Sequence, residues 1–194
     1  MLTILVVGPV PAVVFGDESP AGFISGLAQR LAKTGQLEGT FEQTRYISVL
    51  SIPLRSSGTF TYQRGEGIVW RTLEPVASVV RISPDQGVVV VDDRNNPQPV
   101  PASELVGVIF LGVFSGDFSR LNDYFRVEHE QGVTAREGDH WELRLTPLRK
   151  QLAEHLRSIA IAGTQLVESI TLLEPNGDRT EIVFETTESG EKFH

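Results

Sequence analysis

A mainly β, α+β fold, built as a single curved antiparallel sheet with two or three helices, is what this sequence predicts, and three observations carry it. Trp141, Leu143 and Leu145 alternate with Glu142, Arg144 and Thr146, the period of two that marks a half-buried strand. Asn176-Gly177 separates two strand-like runs, Gln165–Glu174 and Arg179–Thr186, and Asn-Gly is the strongest short-range hairpin signal. Helical spacing, in contrast, governs only brief stretches, and no internal repeat or domain linker interrupts the pattern.

The elements follow in order. Met1 to Gly16 is uncharged and strongly apolar, too short and too Pro-interrupted for a membrane span. Small residues at Val14 and Gly16 suit a signal-peptidase site, so 1–16 is expected to be a signal peptide and 17–194 a single exported domain. The run lacks a leading Lys or Arg, and a buried N-terminal strand is the alternative reading. Ser25 to Leu37 carries Leu27, Ala28, Leu31 and Ala32 at helical spacing, with Gly35 as a stop. Thr40 to Ile47 reads as a strand with Phe41, Gln43 and Arg45 on one face.

Leu50 to Pro75 then reads as a loop, a strand, a Gly-flanked turn and a second strand. Phe60 and Tyr62 share a face of the first of these strands, Ile68 and Trp70 a face of the second. Ser78–Ile82 and Val88–Val91 form a further hairpin across 85–87, and Asn95–Pro101 reads as a Pro-rich loop. Ala102 to Phe114 holds Leu105, Val106, Ile109, Phe110, Val113 and Phe114 at helical spacing with Glu104 its one charge. A helix apolar nearly all round must be covered on most sides. A short helix at Ser119–Tyr124, a strand at Phe125–Glu130, a helix carrying Leu148, Leu152 and Leu156, and a strand at Ser158–Ala162 complete the chain.

Composition removes whole classes of function. A net charge of -8 over 194 residues opposes nucleic acid, which needs a clustered basic face. With no cysteine there are no disulfides, thiolate chemistry or Cys-based zinc sites. His129, His140, His155 and His194 are scattered, and Glu128 and Glu130 face away from His129, so a solvated strand face accounts for them better than a metal site. No serine sits in a nucleophile elbow, and the Gly-Glu-Gly at 65–67 lacks the Lys and helix of a phosphate loop. Trp70 and Trp141 read as core or as ligand platform, and in a hollow barrel these are one and the same.

The motifs together resemble the LolA-type outer-membrane lipoprotein carriers. Phe41-Glu42-Gln43 after a helix is similar to the family's first strand, followed by Gly58-Thr59-Phe60, Gly67-Ile68-Val69-Trp70 and Pro75. Trp141 through Thr146-Pro147 is similar to its strand ending in Thr-Pro, and Ile170 to Phe184 around Asn176-Gly177-Asp178 to its closing hairpin. The likeness covers about residues 25–186, and the wording at 54–58 and 74–78 resembles a divergent branch found beside lipid and aryl-polyene biosynthesis enzymes.

The resemblance implies an unclosed β-barrel with helices as a lid over an apolar cavity. It implies a periplasmic monomer without catalysis, cofactor or metal, which takes acylated lipoproteins or a related lipid from an inner-membrane release transporter to an outer-membrane acceptor. It also implies a latch: an arginine before the Trp strand that hydrogen-bonds lid-helix backbone, a position held here by Arg64, with Gly65 where the family often has Pro.

Strand parity nominates the cavity lining: Phe41, Phe60, Tyr62, Ile68, Trp70, Val80, Ile82, Trp141, Leu143, Ile170, Leu172, Ile182 and Phe184. The helix at 102–114, with Leu105, Val106, Ile109, Phe110 and Val113, is the natural lid. The physical need is plain. A buried methylene is worth about 0.8 kcal/mol, so exposing one acyl chain costs on the order of 10 kcal/mol, and crossing an aqueous compartment demands a soluble container. A lipid sensor or protein-interaction module on the same scaffold is the rival reading, and a lipid hydrolase without a visible base and nucleophile stands third.

Overall fold

Short turns between alternating runs make sequence neighbours pair as spatial neighbours, and the chain builds nearly its whole sheet this way. The structure, a computed structural model, describes residues 20–91, 97–99, 104–130 and 140–188; the expected signal peptide lies outside them. Helix α1 (Pro20–Leu31) leads into strands β1 (Gln36–Tyr46), β2 (Leu54–Gln63), β3 (Gly67–Glu74), β4 (Ser78–Ser83), β5 (Gly87–Val91) and β6 (Pro97–Pro99). Helices α2 (Glu104–Ser115) and α3 (Phe118–Asn122) follow, then β7 (Phe125–His129), β8 (Trp141–Pro147), α4 (Lys150–Ala153), β9 (Ser158–Gly163), β10 (Val167–Leu173) and β11 (Arg179–Glu188).

All eleven strands form one antiparallel sheet in the order β6-β5-β4-β3-β2-β1-β11-β10-β9-β8-β7. Two meanders are therefore joined by the pairing of β1 with β11, Phe41 opposite Phe184 and Gln43 opposite Ile182. The two edges are β6 and β7, and the chain between them runs through α2 and α3. The sheet is an unclosed barrel whose gap in sequence is filled by helices. Curvature has a local cause at Gly58, where the register with β3 shifts and an added Cβ would stand 1.9 Å from the Arg71 carbonyl oxygen.

Several boundaries depart from the sequence reading. Helix α1 begins at Pro20 and ends at Leu31, short of Leu37, because Leu37 continues the inward alternation of β1 with Phe41, both about buried to the same degree. The expected loop at 95–101 contains β6, whose Pro97 and Pro99 stand opposite Val91 and Val89. Proline is tolerated there because β6 is an edge strand and a missing N–H leaves no ladder bond unmade. The amphipathic helix expected around Leu152 reduces to the single turn of α4, none of whose residues is buried, while Leu148 remains exposed.

Alternate residues of β1 to β5 and β7 to β11 point to the concave side. Leu37, Phe41, Phe60, Tyr62, Ile68, Ile82, Val88, Phe125, Trp141, Leu143, Leu145, Ile159, Ile161, Ile170, Ile182 and Phe184 join one core with the apolar sides of α1, α2 and α3. Helix α2 ends at Gly116, whose φ of 70° is the left-handed cap conformation, and a Cβ there would lie 2.5 Å from the Ala28 carbonyl of α1. The glycine thus lets the two helices meet.

Candidate binding site: the concave face and its helical cover

From Leu105 to Ser115, α2 carries no charged residue, and the concave face gives it somewhere to bury that surface. Phe110 and Phe114, one turn apart, project into an aromatic cluster. Phe114 lies 5.4 Å from both Phe60 and Phe184, Phe110 packs edge-on to Trp70 at 5.4 Å, and Trp70 stacks on Phe41 at 3.8 Å. Offset and edge-to-face arrangements of this kind are the favoured aromatic geometries.

The helix does not fill the whole concavity. Beside Phe110 remains an apolar pocket of about 270 Å³, bounded by Gln43, Trp70, Val80, Ile82, Val106, Phe110, Leu172, Thr180 and Ile182. Val106, on the α2 stripe that also bears Phe110, is 42% exposed at its margin. A larger hollow of about 740 Å³ has a different chemistry, being walled by Glu38, Thr61, Glu66, Arg81 and Asp85 on the outer side of β1 to β4. Its walls mix Val69 and Pro84 with these charged groups, which an acyl chain would have to desolvate.

Every residue nominated by parity as lining lies on the concave side, but the structure divides them. Trp70, Val80, Ile82, Leu172 and Ile182 reach the apolar pocket. Phe41, Phe60, Tyr62, Ile68, Trp141, Leu143, Ile170 and Phe184 are buried in side-chain packing instead. Trp141 is tied down further, its indole N–H donating to the Thr164 carbonyl at 2.7 Å. Gln43 and Thr180 also border the pocket, outside the lining expected from the sequence. Parity carried the signal, since each is two residues from a nominated neighbour on its own strand, and only their polarity argued against them.

On α2, Ile109, Phe110 and Val113 are buried, Leu105 is partly so, and Val106 stands at the rim. Arg64 follows β2, and its guanidinium donates to the carbonyls of Thr34 at 2.9 Å and Leu31 at 3.5 Å, while its backbone N–H reaches the Gly35 carbonyl at 2.9 Å. The hydrogen bonds go to the last residue of α1 and the turn after it rather than to α2, the lid expected from the sequence. The Leu31 carbonyl stands at the negative end of the α1 dipole and also accepts the Thr34 N–H, while Thr34 lies in the turn after the helix, beside the β2–β3 turn that carries Arg64. Burial pushes the neighbouring Tyr62 phenol up, an effect the Arg64 charge partly offsets.

His129 points to the concave side, where it stacks on Phe23 of α1 at 3.8 Å, while Glu130 on the opposite face pairs with Arg144. Among the described residues no group of three or more His, Asp or Glu side chains is placed to hold a metal.

An eleven-stranded open sheet with an apolar helix against its concave side and a residual apolar pocket frames the comparison with known families. Residues 20–180 match the family model described as outer membrane lipoprotein carrier protein LolA-like. The chain belongs to that LolA-like family. No curated protein matches it. Similar solved structures include MucB, at 16% identity and a TM-score of 0.48 over 89% of this chain and 61% of that one. A LolA superfamily protein from Nitrosomonas europaea is similar at 7% identity and a TM-score of 0.45, over 87% and 94%. The Pseudomonas aeruginosa MucA/MucB complex gives 16% identity and a TM-score of 0.47, over 89% and 59%. This chain thus spans 61% of the MucB chain's length. Membership supports a role in binding a lipid or lipoprotein as a carrier.

Proposed function

We propose that this LolA-like chain is a periplasmic carrier that holds the acyl chains of lipoproteins, or of a related lipid, against its concave sheet and moves them from the inner to the outer membrane. The observation that supports this reading is α2. An uncharged helix lays Phe110 and Phe114 among Phe60, Trp70 and Phe184, beside an apolar pocket of about 270 Å³. The helix occupies the place that an acyl chain would take, and a chain exchanging with it would replace one apolar contact by another at little net cost.

On this reading Arg64 is the latch of α1, holding the cover shut through two carbonyls and releasing it when cargo enters. The chain is delivered by the signal peptide expected at 1–16 and acts as a monomer. An inner-membrane release transporter donates the cargo and an outer-membrane acceptor receives it, with no catalytic step.

Organic extraction of protein purified from its native periplasm, followed by mass spectrometry, tests the reading. Diacyl or triacyl lipopeptides support lipoprotein transport, and another lipid moves the cargo toward the divergent branch. An interior that is empty under every growth condition sinks the carrier and leaves a protein-interaction module. The latch is tested separately: Arg64→Leu should alter cargo retention, and wild-type retention and release would discard it.

A further inference from the structure

Toward one end of the concave side, neighbouring strands change character together. Phe41 gives way to Gln43 on β1, Trp70 to Thr72 on β3, Val80 to Ser78 on β4 and Ile182 to Thr180 on β11, each pair on one face of its strand. On β2 the same step runs from Phe60 through Gly58 to Ser56, which stands opposite Gln43. An apolar wall thus ends in a row of uncharged hydroxyls and one carboxamide.

Two members of that row, Gln43 and Thr180, border the apolar pocket of about 270 Å³ that Trp70, Val80, Ile82 and Phe110 also line. Gln43 stands opposite Ile182 and therefore diagonal to Thr180 across the β1–β11 ladder, a separation that long side chains bridge. Both side chains are half-buried, and neither has a hydrogen-bond partner among the described residues. A hydrocarbon filling the pocket would drive water from this amide and hydroxyl and leave them unpaired, a cost avoided by an occupant that brings its own acceptor.

The charge around the row decides what kind of acceptor fits. Arg45, next on the inner face of β1, is the one cation on the concave side of these strands among the described residues, and it is ion-paired with Glu174 at 3.6 Å. Arg55, Arg71 and Arg179 alternate to the convex side. At the base of the β1–β2 loop the buried Asp178 carboxylate accepts the Ser48 N–H at 2.7 Å. A free carboxylate would meet no unmatched cation here, whereas an uncharged carbonyl needs only the donors that Gln43 and Thr180 supply.

We propose, on the carrier reading of this pocket, that Gln43 and Thr180 select its occupant: an acyl chain whose carbonyl is held in an uncharged linkage, as in an ester, in preference to a free fatty acid or a plain alkyl chain. The tail lies against Trp70, Val80 and Phe110. The Gln43 carboxamide N–H and the Thr180 hydroxyl donate to the carbonyl oxygen, whose two lone pairs accept both. The polar remainder of the cargo leaves past Ser56 and Thr72 toward solvent.

Isothermal titration calorimetry of the full chain, purified free of lipid, tests this with probes of one chain length kept below micelle formation: decanoylglycerol, the corresponding decyl glycerol ether, and decanoate. Wild type should bind decanoylglycerol more tightly than either of the others by about fivefold. Gln43→Leu should bring the ester down to the affinity of the ether while the ether binds as before, a split that a general disturbance of the pocket would not produce. Thr180→Val, which keeps the side chain's shape, should remove part of the difference. Equal wild-type affinity for ester and ether, tighter binding of decanoate, or a preference that survives in Gln43→Leu/Thr180→Val overturns the selection and leaves the carrier reading standing. Binding of none of the probes overturns both.

Discussion

The inner faces of β8–β9 and of β3–β4 are built from the same kinds of residue and end in different states. On β8 and β9, Leu143, Leu145, Ile159 and Ile161 are each 0% exposed. Across the concavity, Trp70 on β3 and Val80 on β4 remain only partly buried and border the apolar pocket beneath α2. Alternation alone cannot distinguish them, since both walls show it equally. The difference comes from what covers each wall: the first is closed by tight packing, while the second faces a helix that leaves space beside Phe110. One wall maintains the fold, and the other is available for binding.

Truncation of the closed wall should give the largest effect. Trp141→Ala and Leu143→Ala each leave a void in packing that has no room to adjust, so a loss of about 3–5 kcal/mol is expected in urea unfolding. A loss below about 1 kcal/mol would mean that the closed wall is no more packed than its counterpart. Phe110→Ala should cost less, under about 3 kcal/mol, because one side of the ring already borders empty space. It should also enlarge the pocket and raise uptake of an apolar fluorescent dye, whereas Leu143→Ala should not; equal dye uptake by the two variants would erase the distinction between the walls.

Smaller effects concern the cover and the loop base. Arg64→Leu removes guanidinium contacts that are exposed to solvent, so about 1 kcal/mol is expected. Amide exchange should quicken near Ala32 and Thr34 at the end of α1 and stay unchanged in β8. Uniform acceleration would show that the arginine supports the whole fold instead. The smallest effect is a pH dependence. The Ser48 backbone N–H holds the Asp178 carboxyl below its ordinary range. A carboxylate whose folded pKa is lowered adds stability that is full above its unfolded pKa and disappears as pH falls through the folded value. Melting temperature should therefore drop on acidification, and Asp178→Asn should flatten that acid limb. A parallel fall in both proteins would place the titration elsewhere.

Much of this architecture is legible in the sequence because strand parity is a local property. Trp141, Leu143 and Leu145 announce an inward face within seven residues, and Asn176-Gly177 turns the chain in a left-handed conformation at φ 91°. What is not legible depends on tertiary placement. The end of α1 depends on Leu37 being drawn to the inner face of β1, and β6 exists because the edge of β5 accepts two prolines. The partner of Arg64 is set by where α1 stops relative to the β2–β3 turn, which no spacing encodes. Gln43 and Thr180 enter the pocket through parity, against a hydropathy rule that leaves them outside.

The pairing of β1 with β11 has a consequence for how the molecule comes into being. Ser48 and Asp178, bound to one another beside this ladder, are 130 positions apart in the chain, and among the described residues the two meanders have no other strand pairing between them. During synthesis, β1 through β10 emerge before the partner that unites them, so the centre of the sheet cannot form while the chain is still growing. Such nonlocal closure slows folding. On the proposed export route, late closure keeps the chain threadable until β11 arrives.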